Sequence, residues 1–427
     1  MKFFFPDSQD LVDPTFDFRT ERRSAHRVRH RDDLYAHEVF EERVCDGLLV
    51  SKGIVDGLSG GAGKYSMAQR HRLLRVGAED FFRLNRPGRP SLVTMGDCGA
   101  FTYVREHVPP YSVAEVLQFY TDCDFDLGIS VDHVILDYQP RWDGDGPEGV
   151  PASTRERQEI TLELAWEFWR DCKVSRLRIT PVGVAQGWSP KSYAHSVTQL
   201  EKIGYRYIAV GGMVPLRTRD ILAILSGIHD VRSPETQLHL LGITRTEVLD
   251  EFERLGAVSF DSTSPLRQAF KDDKNNYYSP VGAYTAIRVP QVEGNPVLQK
   301  RIQSGAVNQQ QARRLELRCL ELLAKFDTGD ADLETVLQAL DEYEAVHSPE
   351  KSFSATNRET LQTRPWKDCP CTICRSLGIQ VVLFRGAERN RRRGFHNLYV
   401  FYQQLQGDGT GARQARSVPS GAIVLSQ

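Results

Sequence analysis

No apolar run in the 427-residue chain approaches the ~20 residues that a membrane-spanning helix needs, which argues against a bilayer protein. The first residues, Met1-Lys2-Phe3-Phe4-Phe5-Pro6-Asp7, carry one cation, a very short apolar patch and then an acid, so no secretory signal is expected. Cysteine is scarce: of eight, Cys45, Cys98, Cys123, Cys172 and Cys319 are scattered, a pattern that fits a reducing compartment, the cytoplasm by default, and metal binding better than a disulfide framework. Neither charge sign is in excess, since 54 Lys and Arg face 56 Asp and Glu, so nothing global advertises nucleic acid. A Walker loop is missing as well. Ser59-Gly-Gly-Ala-Gly63-Lys64-Tyr65 imitates one, but Leu58 and Tyr65 stand where glycine and Ser or Thr are required. What remains, with 40% hydrophobic and 26% charged residues, is a globular chain long enough for one large domain with an appendage.

The three other cysteines are packed into Cys369-Pro-Cys371-Thr-Ile-Cys374, and His396 follows within Gly-Phe-His-Asn-Leu-Tyr. Three thiolates and one imidazole suit a closed, four-coordinate structural Zn2+ site. Arg385, Arg389, Arg391, Arg392 and Arg393 crowd the stretch between Cys374 and His396, and Arg389, Arg391, Arg392 and Arg393 are read as a phosphate-binding face whose geometry the metal would fix. A second run, Arg19, Arg22, Arg23, Arg27, Arg29 and Arg31 with His26 and His30 interleaved, reads equally well as a solvated face.

Short apolar segments ending in polar or glycine turns predict strands at Ser91–Met95, Leu127–Val131, Leu177–Ala185, Tyr205–Val210, Gln237–Leu241 and Ala257–Phe260. Amphipathic helices are predicted at Thr154–Asp171, Ser189–Ile203 and Thr244–Leu255, the last from Thr244 with an acid three residues on. Strand–helix–strand alternation means parallel strands. Asp97, Asp132, Gln186, Gly211-Gly212, Gly242 and Asp261 all fall at strand C-terminal ends, which converge on one face only in a (β/α)8 TIM barrel. The expected fold is therefore α/β: a TIM-barrel catalytic domain with an N-terminal extension over 1–280, a helix-rich insertion over 281–365, a zinc-binding subdomain with a docking helix over 366–410, and a loose tail over 411–427. Within the insertion, helices are predicted at Gln309–Phe326 and Leu333–Val346, followed by a polar link, Ser352–Thr363, and later by a helix, Asn397–Leu405, that His396 opens.

Two carboxylates at strand ends are the natural pair for chemistry at a sugar anomeric carbon, one attacking C1′ and the other shuttling a proton. The candidates are Asp97, in Met95-Gly-Asp-Cys-Gly-Ala-Phe101, and Asp261, in Ser259-Phe-Asp-Ser-Thr-Ser-Pro265. Small residues after Asp97 let a planar group approach, and Phe101 offers a stacking face.

These segments resemble the tRNA-guanine transglycosylase superfamily, zinc-containing TIM barrels that exchange guanine for a 7-deazaguanine. Met-Gly-Asp97-Cys-Gly-Ala-Phe is similar to its Asp-Ser-Gly-Gly-Phe motif, Gly183-Val-Ala-Gln186-Gly187 to Val-Gln-Gly, and Gly204-Tyr-Arg-Tyr-Ile-Ala-Val-Gly211-Gly212-Met213 to Gly-Tyr-Ala-Val-Gly-Gly-Leu. Leu240-Leu241-Gly242-Ile243 is similar to Leu-Met-Gly-Val, Phe260-Asp261-Ser262 to Phe-Asp-Cys, and the Cys-x-Cys-x2-Cys cluster with Phe395-His396-Asn-Leu closes the match. The resemblance implies that Asp261 is the nucleophile and Asp97 the general acid/base. It implies that Asp132 accepts hydrogen bonds from the guanine edge, that Gln186, Gly211, Gly212 and Met213 complete the base site, and that Phe101 and Leu241 sandwich the ring. Ala100 and Thr102 depart from the tRNA enzymes' Gly and Gln, and over a hundred residues separate Asp261 from Cys369, where those enzymes have a short connection. The start of the chain and the segment from Ser264 through Arg267 to Tyr278 are similar instead to the DpdA-type DNA transglycosylases of bacteria and phages, which insert bases such as 7-cyano-7-deazaguanine (preQ0), often within restriction-modification systems. The expected partners are thus DNA (tRNA as the alternative), held in part by Arg267, and a free 7-deazaguanine base. A partner ATPase and a homodimer through the zinc subdomain are further expectations from the resemblance. Two rivals are a silent docking paralogue, which should have lost a carboxylate, and a hydrolytic glycosylase, which should release guanine without a second base.

Overall fold

The computed structural model describes residues 1–57, 64–85, 91–143, 149–271 and 274–407. The glycine loop at 59–63 and the tail from 411 lie outside the described residues. Eight parallel strands close into a barrel in sequence order: β1 (Lys2–Pro6), β2 (Gly47–Ser51), β3 (Val93–Asp97), β4 (Leu127–Ile129), β5 (Thr180–Ala185), β6 (Tyr207–Val210), β7 (Gln237–Leu240) and β8 (Ala257–Asp261), with β8 returning to pair with β1. The strands are short and almost wholly buried, as expected where helices cover one face and barrel side chains fill the other. Phe4, Leu49, Met95, Ile129, Val182, Val184 and Ala209 form the packed interior.

Two strands were not evident from the sequence. The Phe3-Phe4-Phe5 patch is β1, and Gly-Leu-Leu-Val-Ser is β2. Among the helices, Ala152–Val174 and Pro190–Ile203 agree closely with expectation, the latter capped by Ser189, whose hydroxyl accepts from the Ser192 N–H. The helix expected from Thr244 starts later, as a 3-10 turn at Thr246–Val248 leading into Leu249–Arg254. Thr244 does not cap it, because its hydroxyl is used on Ser262.

The chain separates into two compact units. Among the described residues the barrel unit comprises Met1–Gln9 and Cys45–Thr263, and the second unit comprises Asp10–Val44 and residues from Ser264 onward. The last barrel strand ends at Asp261, and Ser264 opens the second unit's longer segment. The helical insertion (Gln309–Thr328, Leu333–His347) and the metal cluster belong to one unit. The polar link of the second unit is itself a helix, Ser354–Thr363, and His396 lies in the middle of a long helix, Gly386–Gly407, not at its start.

Candidate active site

Side chains alternate along a strand, so residues two apart share a face. Met95 and Val184 fill the barrel interior, which places Asp97 and Gln186 one step higher on the same inward face, at the C-terminal mouth. The same step takes Ala209 to Gly211 and Ser259 to Asp261. Asp132 follows β4 and is buried.

Asp132 is held from both sides. Gln186 Nε2 donates to its Oδ2 at 2.7 Å and Cys98 Sγ donates to its Oδ1 at 3.2 Å, while the Tyr103 hydroxyl donates to Cys98 Sγ at 3.1 Å. Burial and the Asp132 charge push the Cys98 thiol well above its ordinary value, so it stays protonated and a donor. Burial raises Asp132 to about 6, against the pull of those two hydrogen bonds. Gln186 is fixed in turn: its Oε1 accepts from the Ile135 N–H at 3.3 Å, and its backbone carbonyl accepts from Gln158 Nε2 at 2.9 Å. Gly211 and Gly212 are required beside it. A Cβ on Gly211 would lie 2.3 Å from Gln186 Nε2, and Gly212 has φ +74° with the Ile135 carbonyl 2.4 Å from where its Cβ would be.

Asp97 sits at the end of β3, accepting from the Ser51 hydroxyl and the Gly99 N–H. Gly99 makes this turn with φ +85°, and a Cβ there would meet Ser51 Oγ at 2.5 Å. Burial, then the nearby charges of Asp132 and Asp261, raise Asp97 to about 7. A carboxyl group that exchanges its proton near neutrality is suited to general acid/base work. Asp261 accepts from the Gly242 N–H at 2.9 Å and faces His239 Nε2 at 3.2 Å, both through Oδ1. Phe101 follows Asp97 on a 3-10 turn and is 47% exposed, a free aromatic face at the mouth. Leu241 is half-buried just beyond β7, and Met213 is fully buried.

Several functional groups escaped the sequence reading. Cys98, Tyr103 and Ser51 each bond to one of the carboxylates or to its neighbour. His239 looked like an ordinary core residue of a strand. The available signal was parity: Tyr207, His239 and Ser259 are polar residues on three consecutive strands, all on the inward face of a barrel whose other strands fill it with apolar side chains.

In the second unit, Cys369, Cys371, Cys374 and His396 are buried with their ligand atoms within 4.8 Å of one another, a cluster that could hold a metal ion. His396 Nε2 lies 2.8 Å from the Tyr278 carbonyl, which accepts a hydrogen bond from Nε2–H and turns Nδ1 toward the thiols at 3.3 to 3.6 Å. Tetrahedral zinc, at about 2.3 Å from sulfur and about 2.0 Å from nitrogen, sets S···N edges of about 3.5 Å, so the donor set fits. Tyr277 stacks on the imidazole with ring centroids 4.1 Å apart.

The arginines beside this cluster require a correction. Arg389, Arg392 and Arg393 are 2%, 7% and 0% exposed, so they cannot form a phosphate-binding surface. Arg389 pairs with Glu21, Arg392 with Glu388, and Arg393 donates to the carbonyls of Leu383 and Ala269. Their spacing suits one buried helix face, and the acids that neutralise Arg389 and Arg392 fold in beside it. Arg391 is half-buried and Arg267 is exposed on a short helix, Ser264–Gln268. In the N-terminal run, Arg27 pairs with Asp33 and Asp13, and Arg23 with Glu388, while Arg19, Arg22 and Arg29 are exposed.

Among the described residues no helix is long and apolar enough to cross a membrane. No protein-family model matches the sequence. A curated protein of Salmonella montevideo named DNA-guanine transglycosylase is 52% identical over 410 residues, spanning 95% of this chain and 97% of that protein. A closed parallel barrel, acidic residues gathered at its C-terminal mouth and likeness over nearly the whole length place the chain in the DNA-guanine transglycosylase family, within the guanine transglycosylase superfamily of glycosyl-transferring enzymes.

Proposed function

We propose that this enzyme exchanges guanine in DNA for a free 7-deazaguanine base through a covalent aspartyl–DNA intermediate. The observation that carries the reading is the division of labour among three carboxylates. Asp97 is raised to about 7 and Asp132 to about 6, while Asp261 is anchored through one oxygen by the Gly242 N–H. The extruded guanine enters the mouth. Asp132 accepts from its N1–H and exocyclic amine, which requires Gln186 to release Asp132 and turn its amide toward the base. Asp261 attacks C1′ as the C1′–N9 bond breaks, and the departing base takes the Asp97 proton. The incoming base then gives its N9 proton to Asp97 and attacks C1′, and the ester bond breaks to return the Asp261 carboxylate. One base replaces another with no net change of bonds to the sugar, so no ATP is consumed in the chemical step.

DNA is favoured over tRNA as the substrate because the relative that is similar over nearly the full length is named for DNA. Arg267 remains a candidate phosphate contact, zinc the candidate occupant of the cysteine cluster, and preQ0 the candidate base. The deciding assay is nucleoside mass spectrometry after incubation with preQ0 and, separately, duplex DNA and bulk tRNA. Deazaguanine in the DNA digest is expected. Incorporation into tRNA alone would overturn the DNA assignment, and guanine release without incorporation would favour hydrolysis.

A further inference from the structure

Beneath Asp261 lies a line of three polar side chains inside the barrel. His239 Nε2 is 3.2 Å from Asp261 Oδ1, His239 Nδ1 is 2.6 Å from Ser259 Oγ, and Ser259 Oγ meets the Tyr207 hydroxyl. His239 and Ser259 are fully buried. Their juxtaposition depends on an irregularity: between Leu238 and His239 the pairing slips by one residue, so that β8 spends Ala257 to Ser259 on a single step of β7. Such slips re-aim side chains beside active sites.

Proton counting gives the line a direction. Ionised Asp261 can only accept, so Nε2 carries the hydrogen. In a neutral imidazole Nδ1 must then accept, Ser259 must donate to it, and the Tyr207 hydroxyl must donate to Ser259. Each hydroxyl uses its one proton, and the tautomer of His239 is fixed. The Nε2–H and the Gly242 N–H converge on Oδ1, leaving Oδ2 for the sugar.

Building on the covalent mechanism above, we infer that His239 is a positioning residue that selects Oδ2 as the attacking oxygen and stabilises Asp261 as the leaving carboxylate in the second half of the exchange. In the adduct Oδ1 is a neutral ester carbonyl. When the incoming N9 attacks C1′ and the C1′–Oδ2 bond breaks, its electron pair returns to the carboxylate and Oδ1 gains negative charge. A hydrogen bond to that charged oxygen is stronger than one to the ester carbonyl. Removing the donor therefore favours the ester over free enzyme and slows its resolution, whereas simple structural damage would lower adduct and turnover together.

The test uses the full chain, a duplex DNA oligonucleotide and labelled guanine as the incoming base, with the adduct followed on denaturing gels. His239→Leu should slow the chase of preformed adduct about 10- to 100-fold, the range for one lost hydrogen bond to a charged group. The trapped fraction should hold or rise, and the KM for guanine should stay near the wild-type value. His239→Gln, whose amide reaches toward the same oxygen, should recover most of the chase rate. Ser259→Ala, which frees the tautomer with a smaller change of volume, should give a milder slowing of the same kind. A chase at the wild-type rate in His239→Leu, or an equal defect in the Leu and Gln variants, overturns the inference while leaving the exchange reaction standing. Wild-type enzyme that exchanges guanine without any adduct overturns the covalent reading and this inference with it.

Discussion

Replacing Asp97 by Asn should stabilise the protein at alkaline pH while disabling it. Burial first, then Asp132 and Asp261, raise this carboxyl from 3.8 to about 7. The unfolded chain gives up the proton before the folded one does, so folding is penalised increasingly as pH rises from about 4 through about 7. At about 1.4 kcal/mol per tenfold change in acidity the ceiling is roughly 4 kcal/mol. Asp97 keeps part of its surface at the open mouth, where water screens it, which brings the expected effect to about 1–2 kcal/mol. Asn carries no charge to desolvate. Urea denaturation should therefore show the variant ahead of wild type by that amount at pH 8, with the gap closing toward pH 4. Guanine release should fall about 100-fold or more, because the leaving base loses its proton donor. In wild type, single-turnover release should decline as pH rises through about 7, where Asp97 loses its proton. A variant no more stable than wild type at pH 8, or one that keeps the wild-type pH dependence of stability, would refute the argument that Asp97 is a strained, near-neutral acid.

Other perturbations separate the site from its scaffold. Gly211→Ala places a methyl group 2.3 Å from Gln186 Nε2, so the amide must leave its position beside Asp132. The KM for the free base should rise about tenfold or more, and an unchanged KM would remove Gln186 from base recognition. Arg392→Ala removes one partner of the buried Glu388, which keeps Arg23 and the Asp13 N–H, and should cost about 1–3 kcal/mol by denaturant titration, whereas Arg391→Ala should leave stability within about 0.5 kcal/mol. Equal effects from the two would contradict the burial of Arg392. Purified protein should carry about one equivalent of zinc, and chelation should loosen the second unit as read by proteolysis or hydrogen exchange. Less than about half an equivalent would remove the closed-site argument.

Much of the barrel was legible because its strands announce themselves twice, as short apolar runs and as runs that end on residues with chemistry to do. Asp97, Asp132, Gln186 and Asp261 could be put on one face from that pattern alone, since closing the barrel brings the C-terminal ends of all its strands together. The metal cluster was equally plain, because three thiols within six residues need no tertiary information to be neighbours. Strands β1 and β2 were missed because a three-phenylalanine patch and the short Leu48-Leu49-Val50 run carry no periodicity that separates strand from loop. The arginines misled for a related reason. Sequence shows their charge, but whether Arg389 meets solvent or Glu21 depends on a residue 368 positions away. His239 makes the same point from inside the active site. Nothing in Leu-His-Leu-Leu distinguishes an ordinary core histidine from one that meets a carboxylate at the barrel mouth. That is decided by a one-residue slip between β7 and β8, which sets His239 between Ser259 and Asp261. The sequence by itself brought the candidate acids and the metal cluster to notice. The tertiary structure decided which of them are buried, paired and aimed, because those properties arise from long-range neighbours and from strand register.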